Sequence, residues 1–459
     1  MSPLITDLRK IHFTSLGCAR NLVDTEVMLG IVLRAGFELT GEPEEADFLV
    51  VNTCGFLSSA RQEALDVIEE LFEEKKESTK VIVAGCMVQK HSEELKSAFP
   101  KIHYMLGSGD VEKILEALSA PVEGEAITDA KSYLQWGEIP RSLATPNSYA
   151  YLKIAEGCAK RCAFCIIPTI KGVLKSKPAL QVKREFEALL DQGIHEVILI
   201  AQDLGDWGKE KGNPGKLEEL LETLLTESRK FWLRLLYLYP DEITEKLIDL
   251  IASDRRICPY LDMPIQHINN EILKKMRRKT SSGQICSTIE KLREKIPDIV
   301  IRTSLMVGFP GETEEQFAEL LAFVKEYPLD NVGVFNFSAE EGAAAARFEN
   351  QISEEVKEER YHRLMEAQLE SVRKRNKRYI GKRLEVVIEG YHPDSEHLMR
   401  GRFYGQCPEI DGMVIINDTR AVTAFDKLYE VEITDALDYD LVGAALAPLF
   451  EKKSPLKLL

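Results

Sequence analysis

With 459 residues, 44% of them hydrophobic, the chain is long enough to build roughly two to four separate cores. A formal net charge of −16 and a pI near 5.2 exclude the global basic field that drives nonspecific nucleic-acid binding, so any RNA contact must be local. No window approaches the roughly 20 apolar residues of a membrane span, and residues 1–10 lack the apolar stretch and cleavage site of a secretory signal, so we expect a cytoplasmic protein whose cysteines serve metal binding or catalysis more than disulfides.

The first third alternates short apolar runs with amphipathic ones. Residues 11–16, 48–52 and 81–84 read as buried strands, and residues 22–35, 58–75 and 89–99 as helices. This is a parallel, doubly wound, Rossmann-like α/β pattern. Each of the three strands runs into a cysteine: Cys18, Cys54 and Cys86. Parallel strands finish on one edge, where ligands gather, so three thiols distant in sequence converge there and suggest an iron–sulfur cluster. Any one of them alone reads equally well as a small core residue. Gly17, Gly55 and Gly85 flank the thiols and permit close backbone approach.

Residues 121–146 are rich in Pro, Gly and polar side chains and mark a boundary. Beyond it, strands are expected at 151–155, 196–201, 231–238, 259–263, 299–307 and 331–337, with helices at 181–192, 216–228, 242–252, 281–295 and 314–327. Six such units fit a partial (βα)6 barrel related to the TIM barrel, whose reactive groups lie at the carboxyl edge of its strands. The first of these strands leads into Glu156-Gly-Cys-Ala-Lys-Arg-Cys-Ala-Phe-Cys-Ile-Ile-Pro168. Its thiols Cys158, Cys162 and Cys165 must share a metal centre or repel one another. A closed structural zinc site takes four ligands, and the loop offers no fourth Cys or His. Soft thiolates also hold iron–sulfur clusters, and three cysteines on a four-iron cube leave one iron open to a substrate or cofactor.

A charged helix is expected over residues 353–379, ending in Arg373-Lys-Arg-Asn-Lys-Arg378. That run reads first as a solvated helix end and second as a polyanion contact. After Gly381, strands at 383–389, 413–417 and 428–436 indicate a small β-barrel. It is acidic, with fourteen Asp and Glu against nine Lys and Arg after Ile380, which suits a basic protein partner better than a phosphate backbone. The three units are expected at residues 9–125, 144–378 and 379–447. His267 reads as a structural histidine, Gly308-Phe-Pro-Gly-Glu-Thr313 lacks the lysine of a P-loop and reads as a turn against which a cofactor lies, and Cys258, Cys286 and Cys407 as nonligating.

The Cys158/Cys162/Cys165 spacing resembles the cluster loop of the radical S-adenosylmethionine superfamily. With the amino-terminal triad and the terminal barrel, the whole chain resembles the methylthiotransferases of that superfamily. Gly17-Cys-Ala-Arg-Asn-Leu-Val-Asp-Thr-Glu26, Tyr260-Leu-Asp-Met-Pro-Ile-Gln-His267, Arg302-Thr-Ser-Leu-Met-Val-Gly-Phe-Pro-Gly-Glu-Thr313 and Phe337-Ser-Ala-Glu-Glu-Gly342 resemble the branch that modifies a ribosomal protein. The tRNA-modifying branch typically has Gln-Met-Asn after its first cysteine. The resemblance implies two 4Fe-4S clusters, one auxiliary on Cys18, Cys54 and Cys86 and one on Cys158, Cys162 and Cys165, with Phe164 near the adenine of the cofactor. It implies two molecules of S-adenosylmethionine per turnover, one methylating sulfur at the auxiliary cluster and one cleaved to a 5'-deoxyadenosyl radical. The radical would take hydrogen from the β-carbon of an aspartate in ribosomal protein S12, with a sulfur donor and a flavodoxin-like electron donor as partners, a TRAM barrel engaging substrate, and neighbouring domains capping the barrel mouth. A tRNA adenosine methylthiotransferase and a two-cluster electron carrier are the competing readings. The chain departs from relatives in carrying Lys171, Lys175 and Lys177 where arginines are usual, losing the bidentate fork of any carboxylate clamp there, and Ala343 where threonine is often found.

Overall fold

Phe48–Thr53 is buried at every one of its six positions, which a strand achieves only in the middle of a sheet covered on both faces. It is β3 of a parallel sheet made of β1 (Lys10–Ser15), β2 (Glu38–Leu39), β3, β4 (Lys80–Gly85), β5 (Tyr104–Gly107) and β6 (Gly124–Ala126), ordered β2-β1-β3-β4-β5-β6. Successive residues face opposite ways. Phe48 and Val50 pack with Val27, Met28 and Val32 of α1 (Ala19–Arg34) and with α4 (Ile114–Ser119). Leu49 and Val51 pack with Ala64, Ile68 and Leu71 of α2 (Ser58–Glu74) and with Val88 and Leu95 of α3 (Cys86–Ala98). The doubly wound expectation holds. Three strands beyond those legible in the sequence join the sheet, each too short to show a period.

The structure, a computed structural model, describes residues 9–128, 133–135, 139–210, 215–327 and 329–450. Part of the expected boundary segment and most of residues 1–10 lie outside these.

The central unit is a second six-stranded parallel sheet, β7 (Tyr149–Lys153), β10 (Glu196–Ile200), β11 (Trp232–Leu235), β12 (Ile257–Asp262), β13 (Val300–Val307) and β14 (Asn331–Asn336), each neighbouring the next in chain order. Its outer face is covered by α6 (Ala179–Asp191), α7 (Leu217–Leu224), α8 (Glu245–Ser253), α10 (Ser282–Lys295), α11 (Glu314–Glu326) and the long α12 (Glu354–Asn376). A short pair, β8 (Ala155–Glu156) with β9 (Lys175–Ser176), brackets the cysteine loop and the one-turn α5 (Ile167–Ile170). A further short helix, α9 (Asn270–Lys275), follows β12. Among the described residues, no helix is long and apolar enough to cross a membrane.

The third unit is a closed barrel, β15 (Arg383–His392), β16 (Ser395–Phe403), β17 (Val414–Asp418), β18 (Lys427–Ala436) and β19 (Leu441–Pro448), ordered β15-β16-β17-β19-β18. Two of its strands are not legible as such: β16 opens on Ser-Glu-His, and β19 is largely Gly and Ala.

The interior of the partial barrel is filled from both ends. Tyr149, Tyr151, Ile198, Ile200, Trp232 and Tyr260 form one apolar column with Val23 of α1 and with Val387 and Cys407 of the terminal barrel. The terminal barrel closes the amino end through buried ion pairs. Arg234, fully buried, meets Glu196 at 2.5 Å and the Tyr404 carbonyl at 2.7 Å, and Arg402 joins Glu196 at 2.8 Å to Glu389 at 2.7 Å. Asp411 accepts from the Tyr260 hydroxyl at 2.7 Å. Among the described residues, the amino-terminal domain packs at the mouth and the terminal barrel at the amino end, so the expectation that both neighbours cap the mouth is corrected. The cause is the polar residues early in the strands, Glu196 and Arg234, which take further partners, Arg402 and the Tyr404 carbonyl, from the terminal barrel. Arg373, Arg375 and Arg378 are likewise neither free nor simply solvated: Arg373 pairs with Asp438 at 2.6 Å, and Arg375 and Arg378 both reach Asp330, at 2.8 and 2.7 Å.

Candidate functional site

At the carboxyl edge of the first sheet, the loops after β1, β3 and β4 carry Cys18, Cys54 and Cys86. Gly17 has φ +92°, and a Cβ there would lie 2.8 Å from Cys54 Cβ. A Cβ on Gly55 would lie 2.8 Å from the backbone of Cys86 and Met87. Only glycine lets the three loops close on one another. Asn21, in the first turn of α1, ties them together. Its amide donates to the carbonyls of Leu16 at 3.1 Å and Thr53 at 3.0 Å, and its Oδ1 accepts from the Cys86 thiol at 3.5 Å. Sequence reasoning gave Asn21 no role. The only signal was a run of polar residues, Asn21, Asp24, Thr25 and Glu26, on a helix that buries all four.

Burial pushes the Cys86 thiol up to about 12 and raises Cys54 as well. Burial also opposes the Cys18 thiolate, but Arg20 and the amides of Asn21 and Arg20 outweigh it and leave that thiol below its ordinary value. Such a mixed set is what a soft, cationic centre would deprotonate together.

The second triad sits at the mouth of the partial barrel. Cys158 Sγ accepts from the Lys160 amide at 3.3 Å and Cys165 Sγ from the Ile167 amide at 3.4 Å. Cys162 Sγ lies 3.9 Å from the Tyr239 hydroxyl and 3.8 Å from Arg278 Nη1. Burial pushes Cys158 up to about 11 and Cys165 to about 12. In neither triad do the three sulfurs all lie within 4.8 Å of one another. The triads adjoin: Cys86, Ile166, Ile170 and Ala343 form one small apolar cluster. Ala343 thus has a packing role.

Phe164 packs against the apolar group of Ala163, Met276, Phe309 and Phe337 under the mouth. The strand ends are strained. Tyr237, after β11, and Gln266, after β12, hold φ of 62° and 71°, left-handed values that non-glycine residues seldom adopt away from functional sites. Gln202, after β10, has both Nε2 and Oε1 buried without a hydrogen bond. An orphaned buried amide costs about 1–3 kcal/mol, and a polar ligand in the mouth would relieve it.

Other rim residues are structural. His267 accepts from the Asn269 amide through Nδ1 at 2.9 Å and donates through Nε2 to Glu312 at 3.1 Å. Glu312 also accepts from the Gly308 amide at 2.5 Å and from Arg360 at 2.9 Å. The glycine-rich segment from Gly308 is therefore a braced turn ending in Thr313, which caps α11. Glu340 reaches into the amino-terminal domain, to Arg61 at 2.9 Å and the Ser58 amide at 3.0 Å. Lys171 is buried between Asp24 at 3.2 Å and Glu156 at 2.8 Å, beside the Lys153–Asp24 pair, and Lys177 pairs with Glu185. Each uses lysine as a point charge at the domain junction, where no planar fork is needed. Asp203, Asp206 and Glu242 converge, but Lys160 and Lys209 occupy the position a cation would take. Burial, opposed by Lys160, raises Asp203 to about 6. Beside them, a cavity of about 500 Å3 opens over Cys162, lined by Arg161, Arg277 and Lys279. Cys258 and Cys407 are buried in the barrel column, away from both triads.

Comparison with known proteins agrees with this layout. Residues 10–107 match Uncharacterized protein family UPF0004, residues 152–324 the Radical SAM superfamily and residues 380–446 the TRAM domain. A solved radical S-adenosylmethionine methyltransferase, TsrM from Kitasatospora setae, superposes with a TM-score of 0.53 at 16% identity, covering 72% of this chain and 75% of its own, a likeness of fold. The ribosomal protein uS12 methylthiotransferase RimO of Protochlamydia amoebophila is 62% identical over 95% of this chain and 92% of its own length. Those of Chlamydia abortus and Bdellovibrio bacteriovorus are 56% and 42% identical, each over 95% of this chain and over 95% and 97% of their own. Identity of that level over nearly the full length, on a scaffold that brings two cysteine triads to one barrel mouth, shows that the chain belongs to the RimO family of the radical S-adenosylmethionine superfamily.

Proposed function

We propose that the chain inserts a methylthio group at the β-carbon of an aspartate of ribosomal protein S12, with Cys18, Cys54 and Cys86 holding one 4Fe-4S cluster and Cys158, Cys162 and Cys165 a second. The observation that carries this is the adjacency of the triads, with Cys86 packed on Ile166. When bound, the clusters and S-adenosylmethionine supply transferable sulfur at the first triad and one-electron cleavage of the cofactor at the second. The chain's own residues place the two sites together and exclude water. Ile166, Ile170 and Ala343 seal the seam between the triads, Phe164 offers a ring for the adenine, and Gln202, just after β10, brings a buried, unpartnered amide. The working units divide at 9–125, 144–378 and 379–447.

The terminal barrel lies at the far end of the partial barrel, so it docks the substrate protein rather than touching the reacting residue. Its exposed Asp394 and Glu396 and the exposed Tyr391–Phe425 ring pair, 5.3 Å apart, suit a basic ribosomal protein. Electrons enter on another face. Exposed Arg161, Arg277 and Lys279 line the cavity over Cys162 and form no ion pair among the described residues, a surface for an acidic, flavodoxin-like donor.

The test is mass spectrometry of S12 incubated with reconstituted protein, S-adenosylmethionine and a reductant. One methylthio group on the aspartate supports the assignment. Unmodified S12 together with methylthiolated adenosine in tRNA would transfer it to the tRNA branch, and absence of 5'-deoxyadenosine would favour an electron carrier.

A further inference from the structure

Arg20 stands at the junction of the two triads, facing the Cys18 thiol but paired with no carboxylate among the described residues. It follows Cys18 by two positions in the first turn of α1, and its side chain crosses to the partial barrel. There Nη1 donates to the carbonyl of Ala201, at the end of β10, at 2.9 Å, and the guanidinium lies 5.0 Å from the ring centre of Tyr237, just after β11. It is within electrostatic reach of Cys18, Cys54 and Cys86 on one side and of Cys165 on the other. Yet Arg20 forms no ion pair with any carboxylate among the described residues. Of its five N–H donors, one meets a protein oxygen there.

An arginine in this setting has a cost. A partly buried cation without a carboxylate partner loses hydration that a carbonyl, a ring face and a neighbouring thiol repay only in part. Other charges at the same domain junction are paired: Lys153 and Lys171 with Asp24 and Glu156, and Arg141 with Glu26 at 2.6 Å. Two neighbours share the anomaly. Gln202, adjoining the carbonyl that Arg20 grips, leaves its whole side-chain amide unpartnered, and Tyr237, the platform under the guanidinium, is held at φ 62°. Its amide donates to Asp262 at 3.3 Å and its carbonyl accepts from Leu204 at 3.0 Å, so the strained turn is fixed in place beneath the cation.

We propose that Arg20 binds the side-chain carboxylate of the substrate aspartate, so that the adjacent β-carbon is held between the two cysteine triads. This rests on the S12 aspartate reading above and deepens it, since it assigns the residue that tells aspartate from asparagine. A planar guanidinium takes a carboxylate through two parallel hydrogen bonds, fixing rotation about the bond that carries the reacting carbon. Gln202 supplies a neutral donor beside it. A carboxamide in the same place can satisfy one donor and leaves the charge unpaired, which is the arrangement that gives strong discrimination. Arg20 acts here on substrate binding and orientation.

The experiment uses reconstituted full-length protein, recombinant S12 and S12 carrying Asn at the target position. Binding is followed by fluorescence anisotropy, and iron content and S-adenosylmethionine affinity are measured alongside. Wild type should bind the Asp form at least about tenfold more tightly than the Asn form. Arg20→Met, unbranched and apolar, should erase that preference while leaving affinity for the Asn form, iron content and cofactor affinity within about twofold. Arg20→Lys should keep part of the preference and produce a larger share of 5'-deoxyadenosine without product, since a point charge orients less well. An undiminished preference for Asp in Arg20→Met or Arg20→Lys would overturn the proposal. So would equal weakening of both S12 forms with lost iron or lost cofactor affinity, which would make Arg20 a partner of the clusters or of the cofactor. Wild-type protein that binds neither form would overturn the S12 reading and this proposal with it.

Discussion

Asn21 joins the three cysteine loops, and its removal has a size that can be worked from the structure. Asn21→Ala deletes two hydrogen bonds to the Leu16 and Thr53 carbonyls, at 3.1 and 3.0 Å, and the acceptor of the Cys86 thiol at 3.5 Å. The side chain is 1% exposed, so water does not replace it without rearrangement. At about 1 kcal/mol net for each amide bond, with a further cost for carbonyls left unsatisfied, the substitution should destabilise the amino-terminal domain by about 2–4 kcal/mol. Urea unfolding of the metal-free protein, followed by far-ultraviolet circular dichroism, measures it. The loops should also lose their common geometry, so reconstituted Asn21→Ala should hold less iron while the Cys158 loop stays loaded. A variant within about 0.5 kcal/mol of wild type and with full iron would refute the clamp.

Two other predictions concern the domain junction and the electron-entry face. The Glu340 carboxyl is desolvated, but the Ser338 hydroxyl, Arg61 and the Ser58 amide outweigh burial and hold its pKa below the ordinary value. A depressed carboxylate stabilises the fold above its unfolded pKa and loses that contribution as pH falls through the folded value. Glu340→Gln should therefore cost about 1–3 kcal/mol at neutral pH, and the gap from wild type should close as pH drops below about 4, measured by denaturant midpoints across pH. On the basic face, changing Arg161, Arg277 and Lys279 together to Gln should slow cluster reduction by flavodoxin at low salt by tenfold or more and flatten its salt dependence. Reduction by dithionite should be unchanged, and an equal loss with both reductants would refute a docking role.

Much of the site was legible because its residues sit at strand ends. The apolar runs fix where β1, β3 and β4 stop, and the cysteines follow directly, so a parallel sheet leaves them one place to meet. Asn21 was hidden because helix periodicity assigns a polar residue to solvent, whereas α1 lies between its own sheet and the partial barrel and buries polar residues on both sides. The position of the terminal barrel was hidden too, although a trace existed. Arg234 stands in an otherwise apolar strand and Arg302 near the start of β13, and buried cations there require partners. Glu196 and Asp262 supply them from neighbouring strands, and the Tyr404 carbonyl and Asp411 supply them from the terminal barrel. Lys171 shows the reverse case: its pair with Asp24 of the amino-terminal domain could be named only once the domains were seen together.

The central claim is that two cysteine triads hold two independent clusters at one mouth. Iron and acid-labile sulfide per chain, in wild type and in Cys54→Ala and Cys162→Ala, test it most directly. Wild type should carry about eight of each, and either variant should fall toward about four, with S-adenosylmethionine cleavage surviving in Cys54→Ala and lost in Cys162→Ala. About four in wild type, or loss of all iron in either single variant, would contradict it.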